Sequence, residues 1–218
     1  FKAELEVTAV SAFSFFQIAD RYALMPCGAS IGDNYGPVLV AKRSMYPKDL
    51  QGKKIAVPGL NTTAYLLLKL FLPNFHEVVV PFDQILDKVQ SGEVDAGLVI
   101  HEGQLTYKSL GFHKVADLGE WYYEMTGLPI PLGVDVIRKN LGKDVLRKVT
   151  KILRTSIEYG LENREEALKY AMKFGRGVET ATADEFVGMY VNDYTVDMGK
   201  KGKDGLLTLR REAIEAGL

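Results

Sequence analysis

Lys54-Ile55-Ala56-Val57-Pro58-Gly59-Leu60-Asn61-Thr62-Thr63-Ala64-Tyr65 reads as a strand, a tight loop and the N-terminus of a helix. A short apolar run stops at Pro-Gly, and cap-type residues then lead into a Leu-rich stretch of helical length ending near Leu72. The same grammar continues on both sides. Strands are expected over Leu5 to Val10, Tyr22 to Met25, Pro37 to Ala41, Glu77 to Val80, Ala96 to Ile100 and Lys114 to Ala116. Helices are expected over Ser11 to Arg21, Ile85 to Ser91 and Gln104 to Leu110, with Gly or Pro at nearly every junction. Alternation of this kind is an α/β fold with mostly parallel sheets.

The texture changes after Lys139. Lys143 to Gly160 sets Val145, Val149, Ile152, Leu153 and Ile157 on one face and Lys or Arg on the other, an amphipathic helix. Further helices follow at Arg164 to Phe174, Thr182 to Asp193 and Gly205 to Ala216. No repeat or low-complexity linker is present, so structured chain must cross any domain boundary. The two Gly- and Pro-bearing strands Gly36-Pro37-Val38-Leu39-Val40 and Pro129-Ile130-Pro131-Leu132-Gly133-Val134 are the best candidates for such crossings. Taken as hinges, they divide the chain into one lobe of 1–43 with 128–218 and a second of 44–127, with a ligand cleft between them.

Composition removes several classes of function. The 218 residues are 47% hydrophobic and 25% charged, an ordinary globular balance. Lys plus Arg number 27 and Asp plus Glu 28, a net charge of -1, so no field draws in nucleic acid or an anionic membrane. No apolar stretch approaches the ~20 residues of a membrane span. The single Cys27 forms no intrachain disulfide, and three histidines give no zinc-ligand spacing, so no metal is expected. With no signal-like opening, the cytoplasm is the expected compartment. Phe1 is not an initiator Met, and a strand begins almost at once, so a preceding segment is expected to be missing. The sequence is silent on oligomeric state.

Chemistry concentrates at strand-to-helix turns. At Asn61-Thr62-Thr63-Ala64, free backbone N–H groups and two hydroxyls converge and suit a carboxylate, although Asn61 or Thr62 as a plain helix cap is the commoner role. The loop has neither GxxxxGK nor GxGxxG spacing, so a nucleotide phosphate is not indicated. Val94-Asp95-Ala96-Gly97-Leu98-Val99-Ile100-His101-Glu102 delivers His101 and Glu102 at the carboxyl end of an apolar strand, where ligands of open α/β sheets bind. His101 there is either a general base, kept neutral by apolar burial, or a histidine satisfied by backbone carbonyls. Glu102 either orients His101 or caps the next helix. His76 and His113 read as surface residues. Ser11 opens another strand-to-helix turn, and Ser30 lies in the glycine-containing loop Cys27 to Gly36, of a kind that usually only turns the chain. There is no Gly-x-Ser-x-Gly elbow and no sequence-evident partner for Cys27, so covalent acyl transfer lacks support. Trp121, Tyr122 and Tyr123 read as core or hinge packing.

Gly36-Pro37-Val38-Leu39-Val40-Ala41, Ala56-Val57-Pro58-Gly59 with Thr62-Thr63-Ala64-Tyr65, Ile100-His101-Glu102 with Thr106-Tyr107, Asp117-Leu118-Gly119-Glu120-Trp121 and Thr126-Gly127-Leu128-Pro129-Ile130-Pro131-Leu132-Gly133 resemble the 1,4-dihydroxy-6-naphthoate synthases of the futalosine route to menaquinone. Tyr194 to Asp197 is also similar, and the likeness runs from Val7 to about Asp197. It implies a periplasmic-binding-protein type II fold, with two α/β lobes joined by two crossing segments. It also implies a lyase that acts on cyclic dehypoxanthinyl futalosine without a cofactor, with the histidine matching His101 as the base. Ser11, Thr63 and Ala64 match family positions around the ligand. The family begins with a further strand and a Cys-Pro-Asn-Asp-Thr type turn that this sequence lacks. Two alternatives share the fold: a solute-binding protein for a small carboxylate, and the related chorismate dehydratase. A lipoprotein-type signal at the gene start would mark the former. The Ile100-His101-Glu102 and Leu128 to Gly133 signatures favour the synthase.

Overall fold

The computed structural model describes residues 4–174 and 179–218; Phe1, with which the chain opens, lies outside the described residues. Two sheets are built in chain order. β1 (Val7–Ser11), α1 (Ala12–Ile18), β2 (Tyr22–Leu24) and β3 (Ser30–Gly32) come first. β4 (Val38–Ala41), β5 (Lys54–Val57), α2 (Thr63–Phe71), β6 (His76–Val79), α3 (Ile85–Ser91) and β7 (Ala96–Val99) follow. Then come α4 (Gly103–Thr106), β8 (His113–Asp117), α5 (Leu118–Thr126) and the long β9 (Ile130–Arg138). The chain closes with α6 (Lys143–Glu162), α7 (Arg164–Ala171), α8 (Thr180–Tyr190), α9 (Asp193–Val196) and α10 (Gly199–Glu215).

The expectation of mostly parallel pairing is corrected by the strand directions. In the first sheet β1, β2 and β3 all pair antiparallel with β9. In the second, ordered β6-β5-β7-β4-β8, only the pairs β5/β6 and β5/β7 are parallel, while β4 runs against β7 and β8. In each sheet one strand is reversed, and the reversed strands, β4 and β9, are those in which the chain arrives from the other sheet. β4 lies between β7 and β8, so the first crossing is made by the residues ahead of it. That crossing is tight: a Cβ at Gly119 would collide with the Tyr35 backbone carbonyl, and glycine alone allows α5 to start there.

Period-two alternation sorts the second sheet's side chains into two cores. Leu39 and Ala41 of β4, Ile55 and Val57 of β5 and Leu98 of β7 face a large cluster, while Val38, Val40, Ala56 and Val99 face a smaller one with Ile85, Val89 and Tyr107. The large cluster also takes Ile31, Val134 and Val136 from the first sheet and Leu206 and Leu209 from α10. α2 packs into it, with Leu66, Leu67 and Leu68 all at 0% exposure while Tyr65 and Lys69 stay half-exposed.

Other differences from the sequence reading concern single elements. β3 falls in a segment read as a turn, and β9 runs on to Arg138. α5 places Tyr122 in the core and sets Trp121 edge-on to Phe71. α10 starts at Gly199, ahead of the expected Gly205, which is a close-packing position inside it: a Cβ there would meet the Pro129 carbonyl, and the Tyr122 hydroxyl donates to the Gly205 carbonyl at 3.1 Å. α6 has its expected amphipathic pattern but buries none of its residues fully, leaving Val145 41% and Ile152 69% exposed. No described helix is long and apolar enough to cross a membrane.

Candidate active site

Three strand-to-helix turns from the two sheets meet around a cavity of about 410 Å³, within the usual range for small-ligand pockets. Ser11, Ser30, Thr62, Thr63, Ala64 and His101 all line it. Glu102 does not; it lines an adjoining chamber of about 270 Å³ that shares His101, Phe186 and Val187 with the first.

The β5–α2 turn differs from expectation in what it offers. Thr62 is the N-cap of α2, accepting from the Tyr65 N–H at 3.1 Å and donating to the Gly59 carbonyl at 2.8 Å. The Thr63 hydroxyl donates to the Leu132 carbonyl at 2.8 Å and accepts from the Phe13 N–H at 3.3 Å. Both hydroxyls are therefore occupied by protein. Thr63 and Ala64, in the first turn of α2, line the cavity; helix geometry leaves their N–H groups without intrahelical acceptors and at the positive end of the helix dipole. The Thr63 bonds, with the Ser14 hydroxyl donating to the Asn61 carbonyl at 2.9 Å, tie α1 and β9 to the start of α2. Ser11 stands at the N-cap of α1, yet its hydroxyl makes no capping bond.

His101 follows β7 in a left-handed conformation, φ 54°, which among the described non-glycine residues only Asn34 shares. Its ring lies 4.7 Å from that of Phe82 and 6.0 Å from that of Phe186, centroid to centroid. The residue is exposed rather than buried as the sequence implied, because the aromatic rings flank it while the cavity stays open. Among the described residues lining the 410 Å³ cavity there is no Lys, Arg, Asp or Glu. An anion bound here must rely on N–H dipoles, hydroxyls and the imidazole.

The sequence reading missed the fourth wall: Phe186, Val187, Tyr190 and Val191 of α8 and the residue after it, with Gln104 below them. The apolar spacing of Phe186 and Tyr190, one helical turn apart, was the available signal. Tyr190 is 6% exposed, and burial pushes its phenol far above the ordinary range. Cys27 is buried and outside the cavity, and its thiol is pushed up chiefly by burial, the reverse of an activated nucleophile. No group of three or more His, Cys, Asp or Glu among the described residues is arranged to hold a metal ion.

A family model described as menaquinone biosynthesis matches residues 1–215. A 1,4-dihydroxy-6-naphthoate synthase of Streptomyces coelicolor is 37% identical, aligned over all of this chain and 78% of its own. One of Thermus thermophilus is 38% identical, over all of this chain and 79% of its own. A crystal structure of an Archaeoglobus fulgidus protein, 46% identical, superposes with a TM-score of 0.95 over all of this chain and 81% of that one. The periplasmic aliphatic sulphonate binding protein of Escherichia coli, 12% identical, superposes with a TM-score of 0.68 over 98% of this chain and 70% of its own, a likeness of fold alone.

Proposed function

The chain belongs to the menaquinone-biosynthesis family, on its match over residues 1–215 and two synthase relatives at 37% and 38% identity, and we propose that it converts cyclic dehypoxanthinyl futalosine to 1,4-dihydroxy-6-naphthoate as a lyase with His101 as general base. The observation that carries the base is its position: among the described residues the imidazole is the one histidine lining either chamber, and it lines both. A two-part substrate spanning both chambers brings a proton to the histidine they share.

In this reading the substrate carboxylate lies against the Thr63 and Ala64 N–H groups, where the α2 dipole favours negative charge. Ser11 and Ser30 orient the polar part of the substrate by hydrogen bonds, and Glu102, in the smaller chamber, orients the far end or the imidazole. The His101 imidazole accepts a substrate proton. The electron pair left behind forms a new double bond as the bond joining the naphthoate precursor to its sugar-derived portion breaks, and the fragment that departs with that bond's electrons takes the proton back from the imidazolium. Phe82 and Phe186 flank the imidazole, and Phe186 and Tyr190 give the cavity an apolar wall beside it. The lobes meet at the cleft, with the crossings ahead of β4 and between α5 and β9. A cytoplasmic location goes with a biosynthetic enzyme, and the partner is a small carboxylate.

The test is His101→Asn in the full-length protein. Turnover is expected to fall about 10²–10⁴-fold while substrate affinity stays within a few-fold, since the N–H groups and walls remain. Wild-type turnover should also fall in acid, where a protonated imidazole accepts no proton. Near-normal turnover in the variant would move the base elsewhere, and binding without conversion by the wild type would make the protein a receptor.

A further inference from the structure

Gln104 lies three residues beyond His101, and its amide has one orientation that satisfies both ends. The NH₂ group donates to the Gly36 carbonyl at 2.9 Å and to the Tyr190 hydroxyl at 2.7 Å, while the carbonyl accepts from the His101 backbone N–H at 3.3 Å. The reverse orientation would face N–H against N–H and carbonyl against carbonyl. The Gln104 backbone N–H also donates to the His101 carbonyl at 3.1 Å. Gln104 therefore holds both main-chain polar groups of the residue in the left-handed conformation.

The amide's other contacts are themselves anchored. Gly36 is buried in the first crossing segment, directly ahead of β4. Tyr190 packs its ring 5.5 Å from Tyr35 and 5.0 Å from Phe186, and its carbonyl accepts from the Thr195 hydroxyl at 2.9 Å. The Tyr35 hydroxyl donates to the carbonyl of Met189, next to Tyr190. One half-buried side chain thus joins the His101 turn, the crossing segment and the α8 wall that flanks the imidazole.

We propose that Gln104 is a positioning residue for His101, holding the left-handed turn that aims the imidazole into the cavity and tying that turn to α8 and the crossing segment. The proposal rests on His101 being the base. Misplacing a reacting group by about 1 Å can cost on the order of 10²-fold. Gln104→Met, close in length and without polar ends, is therefore expected to lower kcat by ~10–10²-fold with KM within about threefold. In His101→Asn/Gln104→Met the second change is expected to add nothing beyond about twofold, because the group it positions is gone. If Gln104→Met proves unstable, Tyr190→Phe serves in its place: it removes one amide partner and should lower kcat several-fold, again only when His101 is present.

The assay is turnover of cyclic dehypoxanthinyl futalosine by full-length protein, normalised to folded enzyme from a thermal melt. A Gln104→Met kcat within about twofold of wild type, or kcat losses that multiply in the double variant, would overturn the positioning role while leaving the base intact. Near-normal turnover by His101→Asn alone would overturn both.

Discussion

Thr63→Val keeps the shape of the side chain and removes its hydroxyl, so it isolates the bonds that pin α2 to α1 and β9. Thr63 is 2% exposed, and the change strands two groups: the Leu132 carbonyl, bonded at 2.8 Å, and the Phe13 N–H, bonded at 3.3 Å. Phe13 is the second residue of α1, where the helix supplies no acceptor of its own. A buried group left without a partner costs about 1–3 kcal/mol. The Phe13 bond is long and Leu132 is only half-buried, which places the total near 2 kcal/mol, toward the low end for two such groups. For a chain of this size each kcal/mol shifts Tm by about 2–4 °C, so the melting temperature should fall by roughly 4–8 °C. Thr63→Ser, which retains the hydroxyl, should lose less than half of that. KM should stay within a few-fold in both, because the proposed reading has N–H groups hold the substrate while this hydroxyl is taken by Leu132 and Phe13. Thermal melts and initial rates on the same preparations decide the matter. A Thr63→Val protein that melts with the wild type but shows a KM raised tenfold or more would mean that the hydroxyl faces the ligand, and the reasoning fails.

Asp135→Asn probes a half-buried carboxyl on β9. Burial raises the Asp135 carboxyl above its ordinary range, so the native state holds that proton more tightly than the unfolded chain, and stability declines as pH rises through the interval between the two values. The asparagine variant should therefore be the more stable protein at neutral pH and show a flatter Tm-against-pH curve across the acid range; an unchanged slope would discount this carboxyl. Gly119→Ala drives a methyl into the Tyr35 carbonyl and should destabilise the fold by about 1–3 kcal/mol or abolish soluble expression, read by urea denaturation, whereas a silent substitution would mean that the crossing can widen at little cost.

Much of the fold was legible because it is written in local patterns. Ile55 alternating with Ala56, or Leu39 with Val40, declares a sheet with a core on each face, and α3 was read with its observed ends. Strand direction was not legible, since nothing in Val38–Ala41 or Ile130–Arg138 records whether a neighbour runs with it or against it. β3 is a strand because β9 offers it partners, a tertiary cause invisible in Ser-Ile-Gly. α5 had a readable signal that was passed over: Asp117 caps it by accepting from the Gly119 and Glu120 N–H groups at 2.8 and 3.1 Å. In the site, the turns after β1, β5 and β7 were legible as chain reversals bearing polar residues. What the Thr62 and Thr63 hydroxyls bond to, and which face of α8 turns toward His101, depends on elements distant in the chain.

The core around α2 bears on how far this molecule can be taken apart. Leu66, Leu67 and Leu68 sit in one apolar cluster with Leu39 and Leu98 of the second sheet and Val134 and Val136 of the first. The second sheet has the smaller cluster to itself, but cutting the chain between the halves would open the large cluster on both fragments, and neither piece would be an independent module. Cooperativity follows: heat should melt both sheets in one step, because losing either uncovers the other. It also restrains the hinge. Receptors of this architecture can swing open about two connecting segments, but here a wide swing would pull leucines out of a packed interior, leaving small rocking as the low-cost motion. The spacing between the α2 N–H groups and His101 is then a property of the interior rather than of the loops, and drift that repacks those leucines would be felt first as a change in catalytic rate.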